Sequence, residues 1–113
     1  MQKTVSLKQN SEFHRVYYKG KSRVCPVLVT YVMKSRGHGC RIGITTSKKI
    51  GSAVERNRCR RIIRAAYASL ASDTAGDWDI VFIARHRTKH VKTPEVESAM
   101  RRHLTELGVI RSI

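Results

Sequence analysis

Residues 48–64, KKIGSAVERNRCRRIIR, combine dense positive charge with the periodicity of a helix. Seven of these seventeen residues are Lys or Arg, and Glu55 is the only acid. At about 100° per residue, one face collects the apolar side chains of Cys59, Ile62, Ile63, Ala66 and Leu70. The opposite face collects Arg56, Asn57, Arg60, Arg61 and Arg64, with Arg58 towards its edge. The pattern predicts a helix that buries one side and presents guanidinium groups to a polyphosphate on the other.

The sequence also predicts where this helix begins. Ser52 followed by Glu55 matches a capping box, and Gly51 permits a tight turn after Lys48 and Lys49. We expect the helix to extend to about Leu70. The alternative is an ordinary solvated surface helix, but such helices usually mix acids with their arginines at i,i+4 spacing.

Composition favours a folded protein with a polyanionic partner. The 113 residues include 23 Lys and Arg against 8 Asp and Glu, a net charge of +15, and 41% are hydrophobic. These values predict one domain, residues 1–113, with one core. Nucleic acid is favoured over acidic membrane as the partner, because the apolar face of the basic helix is small and lacks Trp and Phe. No run approaches the ~20 apolar residues of a membrane span, and residues 1–6 do not resemble a signal peptide. We therefore expect a cytoplasmic protein with no membrane partner.

Cysteine and histidine give little indication of a catalytic or metal site. Cys25, Cys40 and Cys59 form no CxxC pair, which argues against a disulfide framework or a zinc finger. His38 beside Cys40 could be half of a metal site, but no second half is evident. The five histidines are scattered, and nothing in their spacing suggests a catalytic pair or a set of metal ligands, although sequence alone leaves a Cys–His or His–carboxylate pair open.

The first half of the chain predicts a helix and then strands. A helix should begin near Asn10, carry Phe13, Val16 and Tyr17 on one side, and end at Gly20. A stretch rich in β-branched residues runs from residue 24 to residue 33, with a bend or an edge at Pro26. After a turn at residues 35–39, residues 40–46 predict another strand.

The second half predicts a strand and a last helix. Residues 78–84 form an apolar strand, residues 85–92 a basic loop, and Thr93 caps a helix with Pro94 at its first position and Gly108 after its end. The expected fold class is α+β, a single-domain α/β sandwich with the order α-β-β-β-α-β-α around a small central sheet. Residues 1–6 and 109–113 are expected to be loosely ordered.

Two further features bear on binding. The strands at 40–46 and 78–84 could pair in parallel, which sequence alone leaves open. The basic segments at 48–64 and 85–92 would then lie at one end of the sheet, and Arg85 and Arg87 would extend the basic surface.

Phe13 and Tyr17 share a helix face that Tyr31 could meet. Such rings are usually core, although aromatic rings also provide stacking platforms for unpaired bases.

The ordered block resembles one family closely. The segments RIGITTSKKIG at 41–51, AV at 53–54 and RNRCRRIIR at 56–64 are similar to the signature of the bacterial ribonuclease P protein component. EFHRVY at 12–17, Gly20, VTY at 29–31 and DIVFIAR at 79–85 extend the resemblance to roughly residues 7–107. This chain departs from the family pattern at Glu55 and Cys59, outside the Arg-Asn-Arg core.

The resemblance implies a role and a mechanism. The family is the small basic subunit of a ribonucleoprotein that removes the 5′ leader from precursor tRNA. Its RNA subunit, with bound Mg²⁺, performs the hydrolysis, so the protein is expected to supply no catalytic residue or metal ligand and to bind no cofactor itself. The resemblance implies no obligate protein partner. The family fold includes a left-handed β-α-β crossover, against the right-handed default for such units.

The resemblance also assigns residues. The motif that meets the RNA subunit corresponds to Lys48, Lys49, Arg56, Asn57, Arg58, Arg60, Arg61 and Arg64. The cleft beside the leader of precursor tRNA corresponds to Phe13, Tyr17 and Tyr31. The main alternative is a ribosomal or other structural RNA-binding protein with no part in tRNA processing. A nuclease that works without RNA, and a DNA-binding protein, have less support from the sequence.

Overall fold

A computed structural model describes residues 5–37 and 39–111. Over these residues, five strands form one sheet in the order β1-β4-β5-β3-β2. In chain order the elements are β1 Val5–Ser6, α1 Asn10–Lys19, β2 Lys21–Val24, β3 Leu28–Lys34, β4 Cys40–Thr45, α2 Ala53–Leu70, β5 Trp78–Ala84 and α3 Thr93–Glu106. Single-turn 3-10 helices occupy Lys48–Ile50, Ala71–Asp73 and His86–His90. None of the helices in the described part of the chain has the length and apolar character to cross a membrane.

The central strand is β5, which joins the two halves of the sheet. It pairs in parallel with β4 and antiparallel with β3, while β1 adds to β4 and β2 adds to β3. The parallel β4–β5 pair places the segments that follow both strands at the same end of the sheet. The sequence left this direction open, and the structure resolves it as parallel.

Helices cover both faces of the sheet, because alternate strand residues point to opposite sides. Leu28, Ile80 and Phe82 belong to the larger core beneath α2 and α3. Val81 belongs to a smaller core beneath α1, with Leu7 and Val16. This arrangement confirms the predicted α/β sandwich and the predicted order of helices and strands from α1 onwards.

The β4-α2-β5 crossover is left-handed, and one hydrogen bond shows it. For an L-residue whose side chain points at the viewer in a strand running upwards, the backbone N–H and C=O point to the right. Seen from α2, the Ile42 side chain points at the viewer, and its carbonyl accepts from the Leu7 N–H of the β1 side at 2.7 Å. Strand β1 therefore lies to the right of β4 and β5 to its left, so the chain moves left through a helix in front of the sheet. This is the rare hand and the one that the family resemblance implied.

The structure differs from the sequence interpretation in several places. The stretch 24–33 is not one strand: β2 ends at Val24, residues 25–27 turn with hydrogen bonds between Cys25 and Leu28, and β3 begins at Leu28. The basic loop contains the 3-10 helix His86–His90, and Thr93 is the first residue of α3 rather than its cap. Gly108, at φ +86, ends α3 as predicted.

Both ends of the described chain contact the rest of the fold. Val5–Ser6 pairs with Arg41 and Ile42, since the free edge of β4 supplies unpaired backbone groups. Val109 and Ile110 are 0% and 5% exposed, because their side chains complete the core beside α3. The loose order expected for residues 1–6 and 109–113 stays a prediction. Residues 1–4, 112 and 113 lie outside the described residues.

A buried histidine predicts a pH-dependent stability. His103 is 3% exposed on α3, and its Nδ1 lies 2.9 Å from the Thr30 hydroxyl. Burial lowers the pKa of His103 below its ordinary 6.5, so the unfolded chain takes up the proton first. The free energy of unfolding should therefore decline as pH falls below about 6.5, by at most about 1.4 kcal/mol per pH unit.

Urea unfolding between pH 7.5 and 5 tests this expectation. His103→Gln should remove this part of the pH profile, whereas His90→Gln, at an exposed position, should keep it. Identical profiles for His103→Gln and the wild type would contradict the assignment.

Candidate nucleic-acid interface

Helix α2 has the two faces that the sequence predicted. Its buried residues are Cys59, Ile62, Ile63, Ala66, Tyr67 and Leu70. Burial raises the pKa of the Cys59 thiol, so this cysteine behaves as a small apolar side chain. Arg61 and Arg64 are exposed, and none of the ion pairs among the described residues engages them. Their positive charges are thus free to meet an anion.

The capping box fixes the start of α2. The Glu55 N–H donates to the Ser52 hydroxyl at 3.2 Å, and the Ser52 N–H donates to Glu55 Oε1 at 3.0 Å. Lys89 Nζ lies 3.5 Å from the other carboxylate oxygen of Glu55. The hydrogen bond from Ser52 and then the charge of Lys89 lower the pKa of Glu55. The single acid at this end of the helix is therefore neutralised within the protein.

The two basic segments meet at one end of the sheet. Lys48 and Lys49 are exposed on the 3-10 turn after β4, and Arg85 and Arg87 are exposed after β5. Lys89 joins the segments, since its ammonium group donates to the Ile50 carbonyl at 2.7 Å. The predicted continuous basic surface is therefore present, and it follows from the parallel pairing of β4 with β5.

Arg58 points away from the rest of the Arg-Asn-Arg motif. Its guanidinium group donates to the Lys89 carbonyl at 2.8 Å and to the Val91 carbonyl at 3.3 Å. Arg56 is half-buried and Asn57 is exposed, where its side-chain oxygen accepts from Arg60 at 3.3 Å. Arg58 therefore clamps the second basic segment onto α2. Its direct contact with RNA stays a prediction.

Arg58→Ala should destabilise the protein as well as any complex. Two carbonyls lose a charged donor, and hydrogen bonds to charged groups contribute about 1.5–3 kcal/mol. We expect the free energy of unfolding in urea to drop by about 2 kcal/mol, with faster amide exchange at residues 86–91. Arg61→Ala, at an exposed position of the same helix, should change stability by less than about 0.5 kcal/mol. Equal stability of the two variants would show that the clamp is unimportant.

Phe13 lies over β4 because position 43 is glycine. A Cβ atom at Gly43 would collide with the Phe13 ring. Tyr17 and Tyr31 form an edge-to-face pair with ring centroids 5.2 Å apart, and the Tyr17 hydroxyl lies 2.9 Å from the Thr45 hydroxyl. All three rings pack on the smaller core yet stay partly exposed. They therefore contribute to the core and also offer surface to a ligand.

A cleft runs between α1 and α2 across the edge of β4. Strand β1 pairs only with Arg41 and Ile42, so it leaves the end of β4 accessible from this side. A cavity of about 310 Å³ opens there, lined by Asn10, Phe13, His14, Tyr17, Ile44, Thr45, Thr46 and Arg60. A smaller one of about 140 Å³ adjoins Phe13, Gly43, Arg60 and Arg64. The aromatic and basic predicted sites therefore adjoin, because Phe13 of the aromatic site and Arg60 of the basic site line both cavities.

A partly buried ionic network orients α1 on the sheet. Arg41 donates to both carboxylate oxygens of Asp79 at 2.9 Å and to Glu12 at 3.0 Å. The other Glu12 oxygen accepts the N–H groups of Lys8 and Gln9, and these backbone bonds are the main reason that the pKa of Glu12 is lowered. The network ties the N-terminus of α1 to β4 and β5, and Phe13 follows directly.

Sequence reasoning missed several cleft residues. His14, Thr45 and Thr46 line the cleft, and the Thr46 hydroxyl is buried without a hydrogen-bond partner among the described residues. Helical spacing from Phe13 and the end of β4 were the signals that could have indicated them. No group of three or more metal-ligating side chains occurs in residues 5–37 and 39–111. His38 lies outside the described residues.

Comparisons with known proteins agree on one family. The family model "Ribonuclease P" matches residues 1–108. The ribonuclease P protein component of Clostridium botulinum (strain Loch Maree / Type A3) is 38% identical over 104 residues, covering 91% of this chain and 94% of the relative.

Solved structures give the same result. The Staphylococcus aureus RNase P protein has a TM-score of 0.84 and 32% identity, covering 96% of this chain and all of that chain. A mutant of the S. aureus protein described as having defective mRNA degradation activity has a TM-score of 0.83 and 32% identity, covering 93% of this chain and 89% of that one. The sequence, the fold and the paired basic and aromatic surfaces lead to one conclusion: this chain belongs to the ribonuclease P protein family.

Proposed function

We propose that this chain is the noncatalytic protein subunit of ribonuclease P. In this role it binds the RNA subunit through the basic surface and holds the 5′ leader of precursor tRNA in the cleft. The RNA subunit, with its bound Mg²⁺, hydrolyses the phosphodiester bond that releases the mature 5′ end. The observation that carries the proposal is the junction at Arg60 of an exposed cationic helix face with a partly exposed aromatic cleft.

Each surface suits its proposed ligand. Arg61 and Arg64 are one helical turn apart and exposed, so both can approach successive phosphates of a structured RNA. Phe13 and Tyr17 offer ring surface to the bases of a single strand, and Arg60 offers charge to its backbone. Positive charge near the leader and the RNA subunit reduces phosphate repulsion, so the complex should need less Mg²⁺ than the RNA alone.

Reconstitution tests the proposal. Purified protein, a bacterial ribonuclease P RNA and a 5′-extended precursor tRNA are mixed at low Mg²⁺, with protein-only and RNA-only controls. The expected result is cleavage at the mature 5′ end only when both subunits are present. Binding to RNA without stimulation of cleavage would favour the structural RNA-binding alternative. Cleavage by the protein alone, on precursor tRNA or on an mRNA, would favour a self-sufficient nuclease.

Phe13→Ala should selectively weaken contact with the leader. Removing the ring takes away a stacking surface worth about 1–3 kcal/mol per base, so we expect affinity for precursor tRNA to fall about tenfold. Affinity for mature tRNA should change by less than about twofold. The measurement is equilibrium binding of both tRNAs to the reconstituted complex, with Tyr18→Ala as the control because Tyr18 is 90% exposed and outside the cleft. Equal losses for the two tRNAs would refute a leader contact at Phe13.

A further inference from the structure

A second groove opens at the hairpin edge of the sheet, separate from the cleft beside α1. It has a volume of about 620 Å³, within the range of ligand sites. The apolar side consists of Val24, Cys25 and Pro26, from the end of β2 and the turn that follows. The other side comes from the segment after β5 and carries Arg85, His86, Arg87 and His90.

The groove is already formed in the free protein. The buried Thr88 hydroxyl donates to the Val27 carbonyl at 2.6 Å and accepts the Arg85 N–H at 2.9 Å. The Arg85 guanidinium donates to the Cys25 carbonyl at 3.0 Å, across the groove. These bonds join its two walls, so a ligand would meet them already in place.

The chemistry of the walls selects a negatively charged ligand with an apolar, planar part. Four of the seven lining residues are Arg or His, and none is acidic. Val24 is 61% exposed at the rim, so its side chain is accessible to a base or sugar lying in the groove. Planar guanidinium and imidazole groups stack on unpaired bases, which is how proteins commonly read single-stranded RNA.

The position of the groove connects it to the basic surface. It lies at the end of the sheet that also carries Lys48 and Lys49, and Arg58 of α2 clamps Lys89 and Val91, next to its basic wall. A long RNA bound along α2 would therefore continue towards the groove.

We infer that this groove receives an unpaired nucleotide of the RNA subunit, with its base against the apolar wall and its phosphate at Arg87. The inference rests on the proposed function, and it adds a second single-stranded contact outside the leader cleft.

The primary test compares two single-charge variants in the full protein. Arg87→Ala should weaken binding to ribonuclease P RNA about tenfold. Arg102→Ala, which removes the same charge from an exposed position on α3, should weaken it by less than twofold. Val24→Thr, nearly isosteric, should weaken it about threefold because it makes the apolar wall more polar. If Arg87→Ala and Arg102→Ala weaken binding equally, the groove is not a nucleotide-binding site.

Crosslinking identifies the occupant. A short photoreactive label on Cys25, in a Cys40→Ser background, should crosslink to an unpaired nucleotide of the RNA subunit. The same label on Cys40 in a Cys25→Ser background should not, because Cys40 lies at the opposite end of the sheet, beside Gly76. Crosslinks confined to helical RNA or to precursor tRNA would overturn the assignment. Wild-type binding and stimulation of cleavage, measured in the same titration, separate a failure of the groove from a failure of the proposed function.

Discussion

Arg41→Met should lower the free energy of unfolding by about 3 kcal/mol, although the Arg41 side chain is partly exposed to solvent. The Arg41 side chain is 22% exposed and the Asp79 side chain 4%. Removing the guanidinium leaves a buried carboxylate without its counter-charge, a change that typically costs about 3–5 kcal/mol. Glu12 loses a partner as well, which should loosen α1 and the rings it carries.

The control for Arg41→Met is a substitution in another Arg–Asp ion pair, whose nitrogen–oxygen distance is similar. Arg101 lies 2.8 Å from Asp73, but both side chains are about half exposed, at 49% and 45%. Arg101→Met should therefore cost less than about 1 kcal/mol. The paired variant Arg41→Met/Asp79→Leu should recover part of the loss, because it leaves no unpaired charge. Urea unfolding of all variants checks the expectation, which fails if the two arginine substitutions cost the same.

Arg61→Ala together with Arg64→Ala should weaken binding to ribonuclease P RNA about 10- to 100-fold at roughly 0.15 M salt. The slope of log affinity against log salt should become shallower by about 1.5, because two phosphates are no longer neutralised by the protein. Stability should hardly change, since both side chains are exposed and outside the ion pairs of the described residues.

A charge-matched pair controls for the long-range field of the protein. Arg36→Ala with Arg102→Ala removes the same two charges from exposed positions outside α2. A loss of affinity below about threefold is expected there. If both pairs weaken binding equally and shift the salt slope equally, then net charge rather than the face of α2 determines the affinity.

Local patterns predicted the helices well. The capping box at Ser52 and Glu55, the apolar spacing from Cys59 to Leu70, and Gly108 after α3 each rest on residues within a few positions of one another. Such signals depend on backbone geometry that the chain expresses locally. The family resemblance supplied the left-handed crossover, which periodicity could not.

Long-range contacts accounted for what the sequence did not predict. In the sequence, Arg58 looks like the other arginines of the basic helix. Only the fold shows that its guanidinium group binds the carbonyls of Lys89 and Val91. The network of Glu12, Arg41 and Asp79 joins residues from three separate parts of the chain. Charged residues carry no periodic signal for their partners, so only the tertiary structure distinguishes a structural arginine from one that is free to bind RNA.

The position of β5 in the sheet has a consequence for how the chain is made. Its residues 78–84 link the β1-β4 pair to the β3-β2 pair, so no continuous sheet can assemble before most of the chain has left the ribosome. A nascent chain ending before residue 78 holds only two-stranded pieces, which are marginally stable alone. The sheet must then close across distant segments, which is a slow step. Until β5 pairs with β4, the two basic segments that follow these strands are far apart along the chain, and pairing is what brings Lys48, Lys49, Arg85 and Arg87 to one end of the sheet.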